Sequence, residues 1–419
     1  MKTEKAVKAV ETSKLVFSMV KEFYRDSWAF KEAGKKICWS TVGDIVDLTN
    51  VYPNMLAVYP ENFNASCASK QISVPLIEES ESRGFSRDLC SYPRNTLGYM
   101  FAGQKLALPY PGRGMPEPDF LFGAGGPCIV HLKWWRIMQQ HYNVPTFLLD
   151  APYVSPRMKL DEVQDHYLAY TVRQLKAAFR FLAEQTGNPV DEDRLKEAVR
   201  LADEAARLWD EVLELRKNIP CPAGSEDMMS CIMPVAQWSG TRKAVDFYQK
   251  LLAEMQDRVD NKIGVIPEER FRILFENIPP WYTMGLFNYF HKFGAVCVAE
   301  TYTKWFHYAD RRLDPERPYE SEARKIMSAF FNLSVRETVE TLETWVRDWH
   351  IDGVVTCVIA GCKIYSGRTY HHANVMREKL GVPVLTLELD MVDPRDYHDA
   401  IIKGRIDAFM ELMDKKKIQ

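Results

Sequence analysis

Pro118-Asp119-Phe120-Leu121-Phe122-Gly123-Ala124-Gly125-Gly126-Pro127-Cys128, followed by an amphipathic stretch and then by Val144-Pro145-Thr146-Phe147-Leu148-Leu149-Asp150, is the passage that decides the fold. A short apolar run, a glycine-rich turn, a helical pattern and a second apolar run make a strand-helix-strand unit, the building block of a parallel sheet. The same order returns near the end of the chain. Asp352-Gly353-Val354-Val355 leads through Ala360-Gly361 to Cys362, then through a helix to Val382-Pro383-Val384-Leu385-Thr386-Leu387-Glu388. Two copies of one unit imply two similar lobes. Each copy sets a cysteine just past the carboxyl end of a strand, where open parallel sheets hold their ligands.

Outward from these copies the alternation continues. Lys36 to Thr41 and Met55 to Tyr59 read as strands before the first copy, and Arg272 to Glu276 and Gly294 to Thr301 before the second. Between them the pattern turns helical and charged from Asp161 to Lys217 and again from Gly240 to Val259, with a loop at Pro220 and Pro222. Residues 4 to 33 space Val16, Met19, Val20, Phe23 and Trp28 as a helix that ends at Gly34. The fold class expected is α/β, with two similar Rossmann-like (flavodoxin-like) lobes of mainly parallel sheet. The expected divisions are a helical arm at 1–35, a first lobe at 36–160, a helical segment at 161–265 and a second lobe at 266–419.

A chain of 419 residues is long enough for several cores. Its 54 basic and 57 acidic residues nearly balance, which speaks against nucleic acid or an anionic membrane as partner. The first twenty residues interleave charges with apolar groups, unlike a signal peptide, and no stretch approaches eighteen uncharged apolar residues. A cytoplasmic protein is expected. Nine cysteines, odd in number and scattered, fit reduced thiols better than a disulfide framework.

Cys128 and Cys362 each follow a glycine-rich turn and precede a helix, whose amino-terminal partial charge favours thiolate, the form that binds iron. Cys90, in Asp88-Leu89-Cys90-Ser91-Tyr92-Pro93-Arg94, precedes another apolar run and is the candidate third ligand. Spacing alone leaves open that each is a buried small hydrophobe, as is the expectation for Cys38, Cys67, Cys221, Cys231, Cys297 and Cys357. Gly123 to Gly126 lack the order of a dinucleotide or P-loop site. His371-His372 lacks the i, i+4 spacing of a metal pair. His131 and the pair Trp134-Trp135 are as well explained by packing.

These residues resemble the 2-hydroxyacyl-CoA dehydratase family, which includes catalytic subunits of ATP-dependent benzoyl-CoA reductases. The marks are Trp39-Ser40-Thr41, Tyr59-Pro60-Glu61-Asn62, Asp88 to Tyr92, Pro118 to Phe120 with Cys128 and Lys133-Trp134, Gly361-Cys362-Lys363 with Ser366, and Asp390 with Asp393-Pro394-Arg395. The resemblance implies a 4Fe-4S cluster between the lobes, held by Cys90, Cys128 and Cys362, with one iron open to a thioester carbonyl. It also implies an acyl-CoA substrate, a homologous second cluster-bearing subunit, and an ATP-hydrolysing iron-sulfur activator fed by ferredoxin. Thr301 to Lys304, Pro279-Pro280-Trp281 and Leu389 to Arg395 look like the reductases, and the reading leans to reduction of an aromatic acyl-CoA through ketyl-radical steps. Tyr59 to Asn62 and Trp39 to Thr41 look like the dehydratases, which leaves (R)-2-hydroxyacyl-CoA dehydration as the alternative. A non-catalytic electron-transfer subunit is the alternative of another class, and a double-cubane protein would need more clustered cysteines. Tyr302 and Lys304, after the strand at 294–301, are expected to line the acyl pocket, with an ordinary surface loop as the other reading.

Overall fold

The computed structural model describes residues 4–42, 45–124, 128–155, 157–305 and 312–418. The last residues of the glycine run before Cys128, Gly125 to Pro127, lie outside them. Every run expected as a strand is one: β1 (Lys36–Ser40), β2 (Met55–Val58), β3 (Phe120–Ala124), β4 (Thr146–Leu149), β5 (Phe271–Glu276), β6 (Ala295–Glu300), β7 (Gly353–Val358) and β8 (Val384–Glu388). They form two all-parallel sheets, in the orders β2-β1-β3-β4 and β6-β5-β7-β8. The second order is the first with each strand advanced by four, so the repeat covers the whole lobe. All residues of β3, β5 and β6 are buried, which is why these strands read as unbroken apolar runs rather than alternating ones. The chain reverses its direction of travel across each sheet between β1 and β3 and between β5 and β7. A crevice opens at that place, beyond the carboxyl ends of the strands.

The helical segment breaks where the charge pattern alone runs on. Leu160–Thr186 and Glu192–Leu215 are separate helices, because Gly187 takes a left-handed φ of 71° and Asp191 caps the second helix through the N–H groups of Asp193 and Arg194. The second helix buries Leu195, Ala198, Val199, Ala202, Ala205, Trp209 and Val212 along one face. A further helix, Pro318–Met327, leaves the second lobe and inserts Ala323 and Ile326 into the first lobe's core beside Leu175, Phe179 and Leu182. Its Lys325 is fully enclosed and meets Asp47 at 2.5 Å and Glu322 at 2.6 Å.

The amino-terminal helix starts at Glu11, seven residues later than the apolar spacing predicts, and ends at Glu32. Residues 4–10 form a non-helical strap. The Ala9 and Val10 N–H groups donate to the Asp227 carboxylate at 3.1 and 3.2 Å, and those of Glu11 and Thr12 to Glu254 at 2.6 and 2.8 Å. These distant carboxylates satisfy the amides that every helix start leaves unpaired, and so fix where the helix begins. Upstream, Glu4 O accepts from Gly285 N at 3.0 Å, and Val7 exchanges two hydrogen bonds with Asn288. Downstream, the helix packs on the first lobe, with Tyr24 against Phe63 at 5.6 Å and Trp28 Nε1 donating to Gly114 O at 2.8 Å.

Beside Asp227 lies Glu226, wholly buried, with neither carboxylate oxygen hydrogen-bonded and His291 Nε2 at 3.5 Å. Burial first, then the charge of Asp227, pushes its carboxyl up to about 8, against the pull of Arg216. The folded state therefore holds a proton that the unfolded chain releases above about 4.5, so this group weakens the fold as pH rises from there to about 8. Glu226→Gln removes that penalty. Thermal melts of the variant should match the parent at pH 4.5 and exceed it above pH 8, by on the order of a few kcal/mol.

Candidate functional site

Three helices begin at cysteines. Cys90 is the N-cap residue of Ser91–Ala102, Cys128 of Ile129–Tyr142 and Cys362 of Lys363–Glu378. The turns that set them are fixed by polar side chains. In the second lobe Ser366 Oγ accepts from Ile359 N at 2.9 Å and donates to Ile359 O at 2.6 Å, closing the turn from β7 into the Cys362 helix. In the first lobe Thr41 Oγ1 accepts from Ala124 N at 2.9 Å and His131 Nδ1 lies 3.2 Å from Ala124 O, which holds the end of β3 against the Cys128 helix. Cys128 and Cys362 are half-buried, and Cys90 is 8% exposed.

Cys90 lies against the chain before Cys362 where the lobes meet, and Cys128 stands within electrostatic reach of both. A methyl group on Gly361 would stand 2.8 Å from the Cα of Cys90, so the chain before Cys362 lies directly on the backbone of Cys90. Burial raises all three thiols, Cys128 to about 12. The next cause for Cys90 is the pair Cys362 and Cys128, and for Cys128 it is Cys362, which marks them as one electrostatic cluster. First-turn N–H groups pull the other way: that of Tyr92 on Cys90, those of Val130 and His131 on Cys128, and those of Tyr365 and Ile364 on Cys362. None of the sulfurs completes a capping hydrogen bond. Among the described residues no three His, Cys, Asp or Glu side chains close on a single ion.

Around the thiols sit groups from further strand ends of both lobes. Glu61, three residues past β2, is 5% exposed and its Oε1 lies 3.1 Å from His131 Nε2. Tyr302, two residues past β6, is buried, bonded to Tyr92 and set 5.8 Å from the ring of Trp281, whose Nε1 donates to Tyr92 Oη at 2.7 Å. Burial first, then the charges of Glu61 and Cys362, raise the Tyr302 phenol, so Tyr302 lies near both. Lys304 does not face it. Two residues further along the short helix Thr301–Trp305, it points across the axis and pairs with Asp210 at 3.2 Å and Glu214 at 3.4 Å. The pair His371-His372 is split: His371 lines a groove of about 490 Å³ with Val339, Val375 and Lys379, while His372 is buried between Glu276 Oε1 at 2.5 Å and Thr338 Oγ1 at 3.0 Å. Reading the strand ends for cysteine alone passes over Glu61. The same strand-end rule applied to every residue type finds Glu61.

A charge network clamps the Cys90 turn. Arg94, 3% exposed, donates to Leu89 O at 2.9 Å, to Glu81 at 2.7 Å and to Asp393 of the second lobe at 3.0 Å. Arg395 bonds the same two carboxylates at 2.6 and 2.7 Å. Burial would raise the Asp393 carboxyl, but Arg395 and Arg94 hold it below its ordinary range.

The chain matches the family model of the 2-hydroxyglutaryl-CoA dehydratase D-component over residues 44–413. It is 29% identical over 402 residues to a benzoyl-CoA reductase subunit of Thauera aromatica, covering 92% of this chain and 91% of that one. It is 26% identical over 393 residues to the (R)-phenyllactyl-CoA dehydratase alpha subunit of Clostridium sporogenes, covering 92% of each. With the (R)-2-hydroxyisocaproyl-CoA dehydratase alpha subunit of Clostridioides difficile it shares 26% over 412 residues and 97% of each chain. No helix among the described residues is long and apolar enough to cross a membrane.

Removing Arg94 leaves Asp393 and Glu81 to Arg395 alone and frees Leu89 O. Arg94→Ala should cost about 1.5–3 kcal/mol in urea unfolding, the range for losing hydrogen bonds to charged groups. It should also speed the labelling of Cys90 by a thiol reagent in the native state.

Proposed function

Because the chain belongs to the family of the 2-hydroxyglutaryl-CoA dehydratase D-component, we propose that it is a 4Fe-4S cluster-bearing subunit of an enzyme acting on acyl-CoA thioesters, with Cys90, Cys128 and Cys362 as the cluster ligands. The observation that supports this reading is the placing of three cysteines, each at a helix amino terminus and within electrostatic reach of one another, at the boundary between two like lobes. The donor set fits the group: sulfur is the ligand iron-sulfur clusters take, and three helix ends offset the charge of three thiolates. Bound there, such a cluster supplies an iron with an open position, able to polarise a thioester carbonyl and exchange single electrons with it.

The chain's own residues then bind, orient and move protons. Glu61 Oε1 stands 3.1 Å from His131 Nε2, and neither carboxylate oxygen of Glu61 accepts a hydrogen bond, which leaves this buried carboxylate open to a group entering the site. Tyr92, Tyr302 and Trp281 wall the site with aromatic rings and tie their polar ends to one another, which keeps water out.

Reduction of an aromatic acyl-CoA ring is the reading preferred for the reaction. It is supported by the aromatic walls and by the reductase-like segments Thr301 to Lys304 and Leu389 to Arg395. Glu61, a carboxylate placed to accept a proton, favours the second reading, dehydration of an (R)-2-hydroxyacyl-CoA. Either reaction calls for a homologous partner chain and for an ATP-dependent iron-sulfur activator fed by ferredoxin. Anaerobic turnover of benzoyl-CoA against a 2-hydroxyacyl-CoA by the assembled, activated complex decides between them. A chain that only relays electrons would show no ligand-exchangeable iron.

Replacing Cys90, Cys128 or Cys362 by alanine should each abolish cluster iron and sulfide in anaerobically purified protein. Cys221→Ala, in the buried helical segment, should leave both unchanged. Full iron occupancy in all three ligand variants would refute the assignment.

A further inference from the structure

Of the three helices that begin at cysteines, one leaves large apolar side chains exposed on its first turn. The Cys90 helix is closed off: Ser91 to Met100 are all buried, and Gly361 lies on the Cys90 backbone. The Cys362 helix shows Lys363 and Gly367 to solvent, and Lys363 Nζ turns back to Ala360 O at 2.8 Å. The Cys128 helix differs. Ile129, bonded directly to Cys128, is 63% exposed, and Leu132, one turn on, is 41% exposed.

Lys133 and Arg136 continue the same face, at the i+4 and i+7 positions from Ile129, and both are exposed. Among the described residues neither meets a carboxylate, and Arg136 Nη1 donates to Gln139 Oε1 at 2.7 Å. The helix Ile129–Tyr142 itself holds no Asp or Glu. Exposed arginines elsewhere, such as Arg83, Arg113 and Arg200, pair with glutamates. The face is therefore a small apolar spot beside a cysteine, continued by positive charge. Two apolar side chains are too few for a permanent subunit contact, which buries a broad apolar core. They suit the brief, small encounters that electron-transfer proteins make. Charge then steers the approach, and the complementary partner is negative.

We propose that the outer face of the Cys128 helix, made by Ile129, Leu132, Lys133 and Arg136, is the docking surface for the protein that delivers electrons to this site, an iron-sulfur protein with an acidic face. The proposal rests on the reading of Cys90, Cys128 and Cys362 as cluster ligands, and the donor in that reading is the ATP-dependent activator. A cluster held by four thiolates carries net negative charge, so the surface over a donor's cluster is one that positive side chains attract. Electron transfer weakens steeply with distance. Ile129 is the neighbour of a ligand, so a donor seated on it stands close to the receiving cluster. One electron leaves the donor's reduced cluster and enters the cluster of this chain, with no bond made or broken and no proton moved.

The test follows reduction of the cluster rather than turnover. The anaerobic, cluster-loaded, oxidised complex is mixed with the activator from the same organism, reduced by ferredoxin and supplied with ATP. Rapid-freeze electron paramagnetic resonance then times the rise of the reduced cluster at several salt concentrations. The double variant Lys133→Glu, Arg136→Glu should accept electrons about tenfold or more slowly at low salt, with the gap closing as salt screens the charges. Leu132→Gln should slow acceptance at every salt concentration. Photoreduction with deazaflavin, a small donor that needs no docking face, should run at the parent's rate in both variants, with iron and sulfide content unchanged. Equal activator rates in the parent and the double variant at low salt would overturn the proposal. A matching fall in the deazaflavin rate would do the same, by placing the defect in the cluster. So would loss of the homologous partner chain from the double variant on gel filtration, since the face would then be a subunit contact. Weaker acyl-CoA binding with an unchanged activator rate would also sink it, because Lys133 and Arg136 would then seat the CoA phosphates. A parent protein that binds no iron would instead fell the cluster reading beneath the proposal.

Discussion

At the boundary between the lobes the backbone of Gly361 rests on the backbone of Cys90 with no room for a methyl group. That contact sets how far apart the two lobes can stand. A larger residue would lift the Cys362 turn off the first lobe and carry its thiol away from Cys90 and Cys128. The same closeness is demanded again within the first lobe, where a methyl group on Gly98 would stand 1.7 Å from Leu76 O, so the Cys90 helix and its neighbour Ser73–Ser82 cross backbone to backbone. Side chains then fasten what the glycines allow to approach.

The fastening is ionic and buried. Arg94 and Arg395 meet Glu81 and Asp393 beneath the Cys90 turn, Arg216 reaches Glu300 at the end of β6, and Lys325 joins Asp47 and Glu322 where the second lobe's helix enters the first. Such networks give little net stability over apolar packing, but an unpaired member is costly, so each permits one arrangement of the elements it joins. Position is what the site requires.

Strands β3, β5 and β6 were legible because burial on both faces writes them as unbroken apolar runs, and the repeat was legible because Cys128 and Cys362 recur at the same place after β3 and β7. Cys90 has no counterpart in the second copy, and spacing left its role open. The start of the first helix was not legible: it depends on Asp227 and Glu254, more than two hundred residues away. Lys304 was grouped with Tyr302 by adjacency, but neighbours two apart on a helix face different ways.

The strap at residues 4–10 gives the chain a particular order of completion. Those residues leave the ribosome early, yet the groups that hold them emerge late: Asn288 lies 281 residues beyond Val7, and Gly285 stands just before it. The first lobe likewise waits for Ala323 and Ile326 to fill its core. Vectorial synthesis usually lets the leading domain fold while the trailing one is still being translated. Here the leading lobe borrows structure from the trailing one, and both close together once the second has emerged. A nascent chain of this kind keeps apolar surface open through most of its synthesis, which makes it a natural client for chaperones.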